Sequence, residues 1–112
     1  MVEKSVLSSV EKYLNTLDAG GMKVSFGVIF GSMANGHSHQ YSDIDLIVIS
    51  PSFDGEYSRD QINTLWRTAA AVDSRIEPIP CGERQWIEDD TLPVLEIGRR
   101  EGQIVRLSDR NS

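Results

Sequence analysis

The sequence has a single cysteine, Cys81, so no intramolecular disulfide can form, and a reducing compartment is the expected setting. No basic or histidine-rich pattern surrounds Cys81 to prepare a thiolate, which makes it a poor nucleophile. Long hydrophobic runs are also missing. Nothing approaches the roughly 18 consecutive apolar residues of a membrane span, and residues 1–17 intersperse Glu3, Lys4, Glu11 and Lys12 among their apolar positions, unlike a signal-type core. No membrane partner and a cytoplasmic location are therefore expected. Positive charge is scarce: 11 Lys and Arg against 17 Asp and Glu leave a formal charge of −6, which repels a phosphate backbone and argues against broad nucleic-acid binding. Repeats, low-complexity tracts and interdomain linkers are absent, and 112 residues suit one domain spanning 1–112.

What is present alternates between helical and strand periodicities. Val6, Val10, Tyr13, Leu14 and Leu17 recur at helical spacing ahead of Gly20-Gly21, predicting an amphipathic first helix. Residues 24–30 read as a strand that ends at Gly31-Ser32. Residues 44–49 read as a second, whose unbroken run Leu46-Ile47-Val48-Ile49 implies burial on both faces. Ser58-Arg59-Asp60-Gln61 has the form of a capping box. The apolar stripe Ile62, Leu65, Trp66, Ala69 and Ala70 follows it, so Trp66 is assigned to the core. Arg75 to Pro80 is extended, and Pro78 and Pro80, having no N–H to donate, place it at a sheet edge. Thr91 and Pro93 open a last helix that Gly98 weakens and Gly102 stops, and residues 103–107 form a terminal strand. The acidic run Glu88-Asp89-Asp90 is read as solvated capping of that helix, whereas Trp86 has no periodic partner to assign it. This order predicts an α/β sandwich.

The chemistry concentrates around the second strand. Asp43 and Asp45 flank Ile44 at its mouth, so both carboxylates emerge on one face with Cα atoms roughly 6.5 to 7 Å apart. Beside so apolar a strand they would repel each other and lose hydration unless a cation or hydrogen bonds compensated. Hard oxygen ligands favour Mg²⁺ or Mn²⁺. At the end of the first strand, Gly31 lets a backbone approach a phosphate, and a short helix after Ser32 would aim N–H groups at it. Residues 33–42 suffice for such a helix and a return, so a triphosphate fits between glycine turn and metal. His37 and His39 alternate in the polar stretch between and are read as solvated.

These residues carry a resemblance. Phe30-Gly31-Ser32-Met33-Ala34-Asn35-Gly36, followed by Ser42-Asp43-Ile44-Asp45-Leu46-Ile47-Val48, resembles the glycine-serine and Asp-x-Asp signature of the MNT-type minimal nucleotidyltransferases of the DNA polymerase beta superfamily. The likeness extends through Arg75-Ile76-Glu77-Pro78-Ile79-Pro80 to Arg100-Glu101-Gly102, essentially the whole chain. It implies a nucleotidyltransferase fold, a mixed β-sheet flanked by α-helices, with Glu77 as a third acidic residue at the metal site. By the same resemblance Asp43, Asp45 and Glu77 are catalytic residues at the metal, Glu77 either helping to bind it or accepting the acceptor hydroxyl's proton, and Gly31, Ser32, Asn35 and Ser42 contact the nucleotide. Asn35 departs from the family pattern, where a basic residue is common.

The implied activity is Mg²⁺-dependent transfer of a nucleotidyl group, AMP from ATP, to a hydroxyl acceptor. Relatives of this size imply a separately encoded HEPN-type toxin as partner, modified on a tyrosine. Two alternatives stay open: a small-molecule acceptor of the aminoglycoside kind, and a non-catalytic nucleotide- or partner-binding module.

Overall fold

The computed structural model describes residues 2–31 and 43–107. The expected helix after Gly31 and the positions of Ser32, Asn35, His37, His39 and Ser42 lie outside them. Helix α1 spans Lys4–Ala19, and the five apolar residues that predict it are all buried. Its C-terminal carbonyls are met by the N–H groups of Gly20 and Gly21, with Gly21 at φ 105. Strand β1 (Phe26–Phe30) pairs antiparallel with β2 (Ile44–Ile49). A short 3₁₀ turn over Pro51–Phe53 leads to α2 (Arg59–Val72), whose start is the Ser58/Gln61 capping box. Strand β3 (Ile76–Cys81) runs parallel to β2. Helices α3 (Glu83–Glu88) and α4 (Pro93–Glu101) follow, and β4 (Gln103–Val105) returns antiparallel to β1. The mixed sheet has the order β3-β2-β1-β4.

Alternation along β2 divides the core into two layers. Ile44, Leu46 and Val48 face α1 and α2, packing with Tyr13, Leu14, Leu65 and Ala69. Ile47 and Ile49 face the other way, toward Leu95 of α4, Trp86 and Cys81. Both faces are thus covered, as the unbroken apolar run requires.

Three features were not foreseen. Trp66, assigned to the core, is 49% exposed. The buried stripe of α2 runs through Ile62, Leu65, Ala69 and Val72, and Trp66 lies about 100° around the helix from Leu65, outside that arc. Helix α3 had no periodic signal because it is short and holds no fully buried residue. Its N-terminus is capped from a distance by Asp54, whose carboxylate accepts from Glu83 and Arg84 N–H at 3.1 Å each. The acidic run does not cap α4: Asp89 instead accepts from the N–H and hydroxyl of Thr91, and Leu92 at the helix start offers no side-chain cap. Trp86 finds its role between layers, edge-on to Phe26 and beneath the Arg99 guanidinium. Gly98 is explained too, since a Cβ there would meet Ile47 Cδ1 at 2.7 Å.

β3 does occupy an edge. Arg75 and Cys81 turn their carbonyls to β2, accepting from Ile44 and Ser50 N–H, so residues 76, 78 and 80 point their backbone groups outward. Pro78 and Pro80 therefore fall where a missing N–H breaks no ladder bond. No helix among the described residues is long and apolar enough to cross a membrane.

Burial raises the pKa of the Tyr13 phenol, whose hydroxyl donates to Leu65 O at 2.9 Å and ties α1 to α2. Tyr13→Phe keeps the packing and removes this bond. The expected cost is about 0.5 to 1.5 kcal/mol, seen as a fall of roughly 3–8 °C in a thermal melt followed by circular dichroism.

Candidate active site

Strand pairing fixes the site before any side chain is considered. In the β2/β3 register Asp45 lies beside Glu77, and in the β1/β2 register it lies opposite Phe30. Neighbouring residues in register share a face, and Asp43 lies two positions from Asp45, so all three carboxylates belong to the α4-facing side of the sheet at one end. Ile47, Ile49, Ile79 and Cys81 continue that face as apolar packing. The site is therefore the polar rim of an otherwise dry layer.

The electrostatics follow from this placement. The Asp45 carboxyl is held above the usual carboxylate range by burial and then by the charge of Asp43. Glu77 is raised too, through burial, a hydrogen bond with Asp43, and the charges of Asp43 and Asp45. Burial and mutual repulsion thus disfavour the charged forms of Asp45 and Glu77. A divalent cation would relieve the same repulsion, and the oxygen donor set suits a hard ion. The fit rests on the Asp43/Asp45 pair: among the described residues no three Asp, Glu, His or Cys side chains are grouped to enclose an ion.

Gly31 closes the site from β1, at φ 73. Of the residues singled out in the sequence, the described ones, Gly31, Asp43, Asp45 and Glu77, come together at this rim. Cys81 lies on the same sheet face but is fully buried, and burial pushes its thiol up to about 11, in keeping with its exclusion as a nucleophile. Reasoning from spacing alone does not reach Glu77, because its link to Asp45 is a register between strands separated by a helix.

The description "nucleotidyltransferase domain" belongs to the family that matches residues 7–98. Several solved structures share the fold. A Sulfolobus solfataricus protein assigned as a nucleotidyltransferase superposes with a TM-score of 0.63 at 15% identity, over 88% of this chain and 77% of that one. A toxin-antitoxin structure with AMP-PNP gives 0.60 at 21% identity, over 92% and 74%. A mutant of the toxin-antitoxin MntA-HpeT gives 0.58 at 19% identity, over 88% and 72%. A search of curated protein sequences finds no relative.

Raised carboxyl pKa values carry a definite sign. The folded state binds these protons more readily than the unfolded chain, so ionisation at neutral pH costs stability. That cost disappears as pH falls through the raised values toward the ordinary 3.8 of aspartate and 4.5 of glutamate. In chelator near pH 7, Asp45→Asn is expected to melt a few degrees above the unsubstituted protein, and the gap should close on acidification. Melting curves at several pH values check this, and a variant less stable at neutral pH would contradict it.

Proposed function

We propose that this chain, which belongs to the nucleotidyltransferase domain family, transfers AMP from ATP, with Mg²⁺, to a hydroxyl group on a separate partner protein. The observation that carries this reading is the convergence of Asp43, Asp45 and Glu77 on one rim, two of them with raised carboxyl pKa values, against the close-packed Gly31. Such a rim is a place for a cation and a polyphosphate.

In this mechanism Asp43 and Asp45 would hold the ion and so orient the triphosphate. Bound Mg²⁺ supplies neutralisation of the charge that builds on the α-phosphate oxygens and on the departing pyrophosphate. The backbone at Gly31 lets the phosphates approach the strand end, with Ser32 and Ser42 assigned to the nucleotide by the family pattern and Asn35 standing where that pattern commonly has a basic residue. Glu77, beside Asp45 in the β2/β3 register, is assigned to take the proton of the acceptor hydroxyl. The acceptor oxygen forms a bond to the α-phosphorus, the bond to the β-phosphate bridging oxygen breaks, and pyrophosphate leaves. Most of the rate advantage on this account is alignment and charge placement.

The choice of ATP draws support from the similar toxin-antitoxin structure with AMP-PNP, and the choice of a protein acceptor from the two-protein systems in which similar folds occur. A tyrosine on a HEPN-type toxin is the acceptor this reading favours.

ATP labelled at the α-phosphate should pass its label to the partner protein with release of pyrophosphate, and Asp43→Asn or Asp45→Asn should abolish nucleotide binding that depends on the cation. Glu77→Gln should slow transfer by about 10²- to 10⁴-fold while weakening binding much less. Label that moved from the γ-phosphate instead would mark a kinase and overturn the assignment.

A further inference from the structure

Gly31 carries an interaction that a phosphate-binding glycine does not need. Its φ of 73 lies in the left-handed region, which already disfavours a side chain. Independently, a Cβ built on its backbone would run into Asp45 Oδ2, with Asp45 Cγ at 3.4 Å and Asp45 Cβ at 3.7 Å. Positive φ alone explains many turn glycines, as at Gly21 and Gly55, where an added Cβ would meet nothing within 4 Å. Gly31 is different, because the space its missing side chain leaves is filled by a carboxylate oxygen.

The position of that oxygen matters because Asp45 has little other freedom. Its backbone is locked in β2 between Phe30 of β1 and Glu77 of β3. Its neighbours along the strand, Ile44 and Leu46, are fully buried. A methyl group at position 31 would be accommodated most readily by turning the Asp45 carboxylate away, since the strand holding it cannot shift without disturbing both layers of the core. We propose that Gly31 is a positioning residue: by presenting a bare Cα to β2 it seats the Asp45 carboxylate in the orientation it needs beside Asp43. The inference rests on the reading of that pair as cation ligands, and it makes the first strand a determinant of cation binding before any nucleotide arrives.

Ligand-orienting neighbours in metal sites are typically worth about 10- to 100-fold in affinity. Mn²⁺ alone, followed by its electron paramagnetic resonance signal, is the probe. Gly31→Ala should bind Mn²⁺ about 10- to 100-fold more weakly than the unsubstituted protein. Gly31→Asn separates the two properties of the position, since asparagine tolerates positive φ far better than alanine yet still carries a Cβ. It should lose Mn²⁺ affinity as alanine does. Recovery of the original affinity with asparagine would mean that backbone conformation alone matters and would overturn the proposal.

A second measurement needs no cation. In chelator, thermal midpoints of Gly31→Ala, Asp45→Ala and the double variant form a cycle in which shortening residue 45 removes the atom that the new methyl meets. Part of the loss caused by Gly31→Ala should therefore vanish in the double variant, whereas strictly additive losses would refute the contact. If the unsubstituted protein bound no Mn²⁺, the metal-site reading would fall, and this cycle would still decide whether Gly31 positions Asp45.

Discussion

Everything at the rim depends on the parallel pairing of β2 with β3. A parallel neighbour cannot be reached by a tight hairpin, so the chain spends α2 on the crossover and returns with Ile76 beside Ile44 and Glu77 beside Asp45. One register step in either direction would swing Glu77 to the α1 and α2 side and leave Asp43 and Asp45 without their acidic neighbour. The register is held by burial on both faces: Ile44, Leu46 and Ile76 fit one layer, Ile47, Ile49 and Cys81 the other. The apolar strand thus does more than pack. It fixes where three mutually repelling groups must stand.

That arrangement sets a tension between stability and chemistry. Carboxylates crowded at the end of a dry layer are unfavourable without a counter-charge, and the raised carboxyl pKa values of Asp45 and Glu77 express that cost. The core beneath is closely fitted, as the approach of Gly98 to Ile47 on α4 illustrates. A strained rim on a rigid base is a reasonable design for a site whose work is alignment, because the base keeps the carboxylates from relaxing apart.

Much of this was legible in the sequence, and the reasons are specific. Asp43 and Asp45 stand out because period-two alternation is local and needs no knowledge of partners. The capping box at Ser58 and Gln61, the glycine stop after α1 and the edge position of β3 are equally local. Trp66 was misplaced because a stripe read from hydrophobicity alone takes in more than the helix can bury, and Ala70 of the same stripe is exposed as well. Helix α3 was invisible because its anchor, the Asp54 carboxylate, comes from a distant loop and leaves no periodic mark. Glu77 needed a family resemblance, since no spacing rule connects it to Asp45 across a crossover. The tight fit of Gly31 against Asp45 was beyond sequence for the same reason: it is a contact between two strands, and only its conformational half is written in the residue type.

The prolines of β3 leave the sheet with two unlike borders. Along β3 the outward-facing backbone at positions 78 and 80 has carbonyls but no donors, so an incoming strand would find only half of each bond it needs. Along β4 the outer residues, Gln103 to Val105, include no proline, and Ile104 is 47% exposed. Among the described residues, the two borders of the sheet therefore differ in what an added strand would find: donors and acceptors along β4, acceptors alone at positions 78 and 80 of β3. The border short of donors is the one that carries Glu77, so the acidic rim and the poorer pairing edge belong to the same strand.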